Sequence, residues 1–151
     1  MLQPNLESIG KRVRTFAFRM KEVNPSNWVA VGLCHKNLIV SKGYNFTFSQ
    51  LGHGSYMISS NGGTWSNHQA SSSSNNVVKA FKFAKGDTVA CRFDPVQKKV
   101  DFFKEKPGGI TYETYKLDLA SIEGDPLCAC VLFYYQNDEV ELINNYKLVG
   151  V

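Results

Sequence analysis

Phe81–Lys104, FKFAKGDTVACRFDPVQKKVDFFK, decides the fold. It reads as a strand, a Gly86-Asp87 turn, a strand, a loop and a further strand. Val89, Cys91 and Phe93 fall on one side, while Thr88, Ala90, Arg92 and Asp94 fall on the other. A period of two is the mark of a half-buried antiparallel strand. The loop Asp94–Lys99 then reverses the chain, with Pro95 fixing φ and Asp94 able to bond the turn backbone. Val100 and Phe102 carry the alternation on towards Lys104. Gly86 suits the positive φ of a tight turn and Asp87 can accept from nearby backbone N–H groups, which is an architectural role rather than a catalytic one. Such a chain is expected to be all-β, an antiparallel β-sandwich with its function on loops.

The flanking sequence agrees. KRVRTFAFRM, residues 11–20, places Phe16, Phe18 and Met20 opposite Thr15, Ala17 and Arg19, again a strand. Asn24-Pro25-Ser26-Asn27 is a turn cluster, and Trp28–Cys34 follows as a buried strand containing Gly32. His35-Lys36-Asn37 reads as a polar turn, after which Leu38–Val40 resumes the apolar pattern. Residues 43–46 and 52–60 read as short strands with glycine punctuation. Residues 61–76, NGGTWSNHQASSSSNN, read as one long polar loop, flexible at Ser71–Ser74. Lys106–Gly109 is a turn and Thr111–Leu119 a strand. PLCACVLFYY, residues 126–135, is a near-continuous apolar run that fits a central strand covered on both faces. Gln136-Asn137-Asp138 would be its hairpin turn into Glu139–Ile143. Turn residues every eight to twelve positions or so, with no repeat or linker, suggest a single domain over residues 1–151.

Composition narrows the function. A 151-residue chain with 43% hydrophobic and 20% charged residues is ordinary for a globular protein, and 13% aromatic suits a sheet. Its net charge of +4 is scattered, with no basic block interleaved with aromatics, so no nucleic-acid partner is expected. No apolar run approaches bilayer length, and Met1–Gly10 is too polar for a signal peptide. Cys34, Cys91, Cys128 and Cys130 all lie in apolar runs. Cys128 and Cys130 share a face of one strand, about 6.5–7 Å apart at Cα, at the far edge of disulfide geometry. Reduced cysteines in the cytoplasm or nucleus are the expectation. Asn45-Phe46-Thr47 is then a chance match to a glycosylation acceptor.

Catalytic chemistry finds no pattern here. His35, His53 and His68 read as loop residues without metal-ligand spacing, so no metal or other cofactor is expected. No nucleophile elbow is present, and the Gly52-His53-Gly54 and Asn61-Gly62-Gly63 runs do not sit between strand and helix as a phosphate cradle would. Cys34, beside His35 and Lys36, has the nearest thing to a reactive setting, yet its strand is otherwise apolar. No two carboxylates pair for glycoside hydrolysis.

Five segments in order resemble the SPRY (B30.2-type, concanavalin-like) domain family. Trp28-Val29-Ala30-Val31-Gly32-Leu33-Cys34 is similar to its early aromatic-x-(V/I)-G strand. Gly54–Gly62 followed by Trp65 is similar to an aromatic strand entering a variable loop. Phe83-Ala84-Lys85-Gly86-Asp87-Thr88-Val89 matches F-x-x-G-D-x-(V/I), the most specific of the five, and Asp94–Lys104 matches the hairpin that follows it. Pro126–Val131 resembles the late P-x-x-P-x-V strand, with Ala129 in place of the second proline. The resemblance covers about residues 28–143.

It implies a non-enzymatic interaction module, taking a partner protein or short linear peptide through loops, and serving as the recognition arm of a larger assembly such as a ubiquitin ligase or scaffold. Carried over by motif, the contact region falls on Tyr56 and on Asn61, Gly62, Thr64, Trp65 and Asn67, with His68 beside it. His35, Lys36 and Asn37 join the same surface on position alone. Trp65 and Tyr56 each admit a second reading as core residues. Two other classes stay open: a lectin-like sandwich in which Trp65 stacks on a sugar bonded by Asn61, Asn67 and His68, and a structural subunit of a large complex.

Overall fold

The computed structural model describes residues 12–26, 28–46, 50–69, 75–108 and 111–151. Two five-stranded antiparallel sheets face each other. Sheet A has the order β5-β4-β3-β2-β9, and sheet B the order β10-β1-β6-β7-β8. The strands are β1 Arg14–Glu22, β2 Val29–His35, β3 Ser55–Ser59, β4 Gly63–Ser66, β5 Val77–Val78, β6 Thr88–Asp94, β7 Lys99–Glu105, β8 Tyr112–Asp118, β9 Leu127–Phe133 and β10 Glu139–Ile143. The expected all-β sandwich is present.

The alternation read from the sequence builds the interior. Phe16, Phe18, Met20, Val89, Cys91, Phe93, Val100 and Phe102 of sheet B meet Val31, Leu33, Tyr56, Ile58, Leu127 and Ala129 of sheet A in one core. The β6–β7 turn is held as its sequence suggested: Asp94 Oδ1 accepts from the backbone N–H of Val96 at 3.0 Å and of Gln97 at 2.9 Å. Gly86 has φ +90°, and Asp87 Oδ2 accepts from Ala84 N–H at 2.8 Å.

Five details differ from the sequence reading. Residues 81–84 form no strand. Leu38–Val40 belongs to a six-residue helix, α1 Lys36–Ser41, which exposes Lys36 and Val40 and buries Ile39. Residues 43–46 form a turn and coil, not a strand. The polar stretch 61–76 contains β4, whose four residues are all buried. Finally, β9 pairs only with β2 and stands at the edge of sheet A, and β10 pairs with β1 in the other sheet, so the two are no hairpin. The serine tract Ser71–Ser74, Asn27, Thr47 and Gly109 lie outside the described residues.

The apolar run of β9 has a different cause from central placement. Sheet A is covered on both faces: a second cluster of Ala30, Cys34, Ile39, Met57, Trp65 and Cys130 lies on its outer side, with Trp28, Phe46 and Leu132 packed against it. Gly32 allows this. A Cβ there would sit 2.1 Å from the Tyr56 carbonyl oxygen and 2.9 Å from Met57 Cα, so β2 and β3 approach only because the side chain is absent. Gly32→Ala is expected to lower unfolding free energy by about 3 kcal/mol, read from the urea midpoint. A loss below about 1 kcal/mol would mean that the strands part without strain.

Candidate binding surfaces

The ten candidate contact residues divide between opposite ends of sheet A. In the β2–β3 ladder Cys34 faces Ser55 and Ala30 faces Ser59. His35 N–H bonds the Gly54 carbonyl at 2.8 Å at one end, and Ser60 N–H bonds the Val29 carbonyl at 2.8 Å at the other. The two ends are about 20 Å apart along the strand. His35, Lys36, Asn37, Tyr56, Asn67 and His68 gather at the first, Asn61 and Gly62 lie at the second, and Thr64 and Trp65 lie in β4 between them. They do not form one surface.

The first end is occupied by its own hydrogen bonds. Tyr56 is fully buried, and its hydroxyl lies 3.3 Å from His35 Nε2, 3.2 Å from His68 Nδ1, and 3.2 Å from both the N–H and the carbonyl oxygen of Ala120. One hydroxyl hydrogen and two lone pairs serve at most three of these four groups at once. Burial pushes the Tyr56 phenol above its usual range. Asp125 caps α1 from far along the chain, accepting from Asn37 N–H at 2.7 Å and Leu38 N–H at 2.8 Å, and Asn37 Nδ2 donates to the Gly124 carbonyl at 3.0 Å. The helix therefore needs no cap from His35, which has none to give.

His53, read as a loop residue, is buried in a second network. Its Nδ1 accepts from Ser55 N–H at 3.1 Å, which leaves Nε2 to donate to Asn75 Oδ1 at 2.6 Å. Asn75 also pairs with the Ser66 backbone, Oδ1 accepting from N–H at 3.1 Å and Nδ2 donating to the carbonyl at 3.0 Å. Asn67 Oδ1 takes Gly54 N–H at 2.7 Å. These bonds join the two ends of the polar stretch to β3, so Asn67 builds the fold rather than offering its side chain outward.

Trp65 resolves to a core residue. It is 1% exposed, packs edge-on against Trp28 and Phe46, and donates Nε1–H to Ser59 Oγ at 3.3 Å. Ser59 Oγ in turn donates to Asn61 Oδ1 at 2.7 Å. The sugar-stacking reading loses its ring. Thr64 is also buried and donates to the Val77 carbonyl at 3.2 Å, and the Gly62 carbonyl takes the N–H groups of Lys79 and Ala80 at 3.1 and 3.0 Å. Lys36, Asn37, Asn61 and His68 are the four of the ten that reach solvent.

The second end is open. A cleft of about 430 Å³ lies between the β1–β2 loop, the β3–β4 turn and the segment before β6. Val23, Pro25, Phe83 and Ala84 give it apolar surface, and Asn24, Ser60 and Asn61 give it amide and hydroxyl groups. Lys82 stands exposed on its wall with no ion pair among the described residues. Lys104 is committed elsewhere: Nζ donates to the Lys82 carbonyl at 2.6 Å and lies 3.3 Å from Glu113. A second hollow of about 410 Å³ shares Val23–Pro25 and extends along Gln136–Asp138. Tyr134 and Tyr135, just before it in sequence, are exposed and pack on each other at 5.0 Å. Apart from Asn61, sequence reasoning missed this surface. The Tyr-Tyr pair preceding a polar turn was its one visible signal.

No family model matches the chain, and no curated protein matches its sequence. Among solved structures, it is similar to the SPRY domain of human HERC1, with a TM-score of 0.61 and 17% identity over 87% of this chain and 74% of that one. The fold is SPRY-like. Among the described residues no cluster of histidine, cysteine and carboxylate suits a metal ion, and no helix is long and apolar enough to cross a membrane.

Two predictions follow from the hydrogen-bonded end, where the buried His35 Nδ1 is left without a partner among the described residues. Asp125→Ala removes the acceptor of two part-buried helix N–H groups and should lower stability by about 1 kcal/mol in urea titration. Desolvation holds His53 below its ordinary 6.5 in the folded state, so the unfolded chain binds the extra proton. Stability is therefore full above about pH 6.5 and declines as pH falls below it. His68 is shifted the same way by desolvation, but it is mostly exposed. The urea midpoint should drop between about pH 8 and pH 5.5, and His53→Gln should remove most of that drop.

Proposed function

We propose that the chain is a non-catalytic interaction module that captures a short segment of a partner protein in the cleft at the Asn61 end. The carrying observation is the contrast between the ends of sheet A. Tyr56, Asn67, His53 and Asp125 spend their polar groups inward. At the cleft the side-chain oxygens of Asn24, Ser60 and Asn61 are also bonded within the fold, but an apolar floor and the exposed Lys82 ammonium stay open. An extended peptide would seat an apolar side chain over Val23, Pro25 and Phe83, bond its backbone to the amide rim, and place a carboxylate against Lys82. The exposed Tyr134 and Tyr135 add contact area at low entropic cost.

The SPRY-like fold supports this reading, since loops on a rigid sandwich are where recognition resides. So does the sequence resemblance, which also suggests one domain over residues 1–151, acting within a larger assembly in the cytoplasm or nucleus. A role beside a ubiquitin ligase or scaffold would be carried by whatever else that assembly contains.

Selection of a displayed library of short random peptides on the protein, followed by calorimetry, tests the proposal. Lys82→Glu combined with Pro25→Ser should weaken selected peptides at least tenfold, about 1.4 kcal/mol, with the thermal melt unchanged. Lys36→Ala combined with His68→Ala should leave them within about twofold. The reverse pattern would place the reader at the other end, and a library that yields no cleft-dependent peptide would overturn peptide capture.

A further inference from the structure

Two hollows flank Val23–Pro25 at the open end of the sandwich. One is the cleft that holds Lys82, and the other runs along Glu22, Lys85 and Gln136–Asp138. Their charges differ in sign. Lys82 and Lys104 outnumber Asp87 in the cleft, whereas Glu22 and Asp138 outnumber Lys85 in the second hollow. Asp138 serves its own loop, with Oδ1 accepting from Asn24 N–H at 3.2 Å. The acids left to face a ligand are Glu22 and the residue beside Asp138, Glu139.

Those two glutamates stand opposite each other in the β1–β10 ladder, next to a bulge between Met20 and Glu22. Like charges directly opposed in a sheet are destabilising. Further along the same ladder Arg19 faces Glu141 and pairs with it at 3.1 Å. Glu22 has Lys85 at 2.8 Å, but both side chains of that pair are more than half exposed. A surface pair of this kind is worth at most about 1 kcal/mol. Glu139 is exposed and makes no ion pair among the described residues. Lys82 is in the same position on the other side of Val23–Pro25. A cation and an anion, each without a counter-charge, thus bracket the apolar floor.

We propose that the segment captured at this end is dipolar, an inference that rests on the peptide-capture reading above. It seats an apolar residue over Val23, Pro25 and Phe83, sets a carboxylate against Lys82, and sets a lysine or arginine against Glu22 and Glu139. Lys82 and Lys85 are three residues apart, at most about 11 Å of chain. Lys85 in turn reaches Glu22. An extended ligand covers that span in about three residues, so its acid and base stand about that far apart with the apolar residue between them. The reversed placement would bring a third carboxylate up to Glu22 and Glu139 and a second cation up to Lys82. The charges therefore also select which way the segment lies.

The test selects a displayed library of random twelve-residue peptides on the folded protein at low ionic strength, then titrates the synthesised winners by calorimetry. Peptides weakened about tenfold or more by Lys82→Glu are the cleft ligands. They should carry an acid and a base about three positions apart around an apolar residue. Glu139→Lys removes the opposed glutamates, so the thermal midpoint should not fall, yet these peptides should bind about fivefold more weakly or worse. Exchanging the peptide's base for glutamate should restore binding to Glu139→Lys and weaken binding to the wild type. Cleft ligands that bind Glu139→Lys within about twofold, or that share no base, would overturn the dipolar ligand and leave capture at the cleft standing. A selection with no Lys82-dependent peptide would overturn both.

Discussion

Sheet A must be buried on both faces, and most of the molecule follows from that. Its inner side faces sheet B through Val31, Leu33, Tyr56 and Ile58, and its outer side carries Ala30, Cys34, Met57, Trp65 and Cys130. An outer layer has to be found for the second face. Ile39 of α1, Trp28 and Phe46 supply it from the chain on either side of β2. Small residues then become a requirement: Gly32 lets two strands approach, and alanine and cysteine keep the layer thin. Sheet B meets a lighter version of the same demand. Ala17, Ala90 and Phe103 are covered by Tyr112, Ile143, Tyr146 and Leu148, and Arg92 lies over Phe103 while pairing with Asp101 at 2.9 Å.

Burying loop ends along with strands places polar groups where water cannot serve them, and an unsatisfied group there costs about 1–3 kcal/mol. The His53–Asn75–Ser66, Asn67–Gly54 and Asp125–α1 bonds meet that need at one end of the sandwich. Histidine, asparagine and aspartate in loops look functional in a sequence because the same atoms that hold a backbone could hold a ligand. Here most of them hold the backbone. At the opposite end Asn24, Ser60 and Asn61 also bond within the fold, and a cleft remains between the β1–β2 loop and the segment before β6.

Legibility followed the physics of each element. The β6–β7 hairpin and β1 were readable because their inner face carries the large apolar side chains while the outer face is mostly small or polar. That leaves a period of two even though Ala17, Ala90 and Phe103 are also covered. The β9 run was readable as a strand but not as an edge strand, since burial on both faces removes the alternation whichever position the strand takes. Helix α1 was missed because six residues are too few to display a helical period, and its cap, Asp125, is remote in sequence. Strand β4 was hidden because Gly63, Thr64 and Ser66 are polar or small, with Trp65 the one apolar anchor. Among the candidate contact residues, Tyr56 and Trp65 had two readings because a large aromatic serves a core and a contact equally well.

By itself the sequence determined the sheet class, the main turns and the sides on which the core residues lie, because backbone periodicity and turn chemistry are local properties. Tertiary structure alone decided strand order, which end of the sandwich carries the buried side-chain hydrogen-bond networks, and the pairing of β2 with β9. Each of these depends on ladder register between segments up to about a hundred residues apart, and no local pattern specifies a register once both faces of a strand are buried.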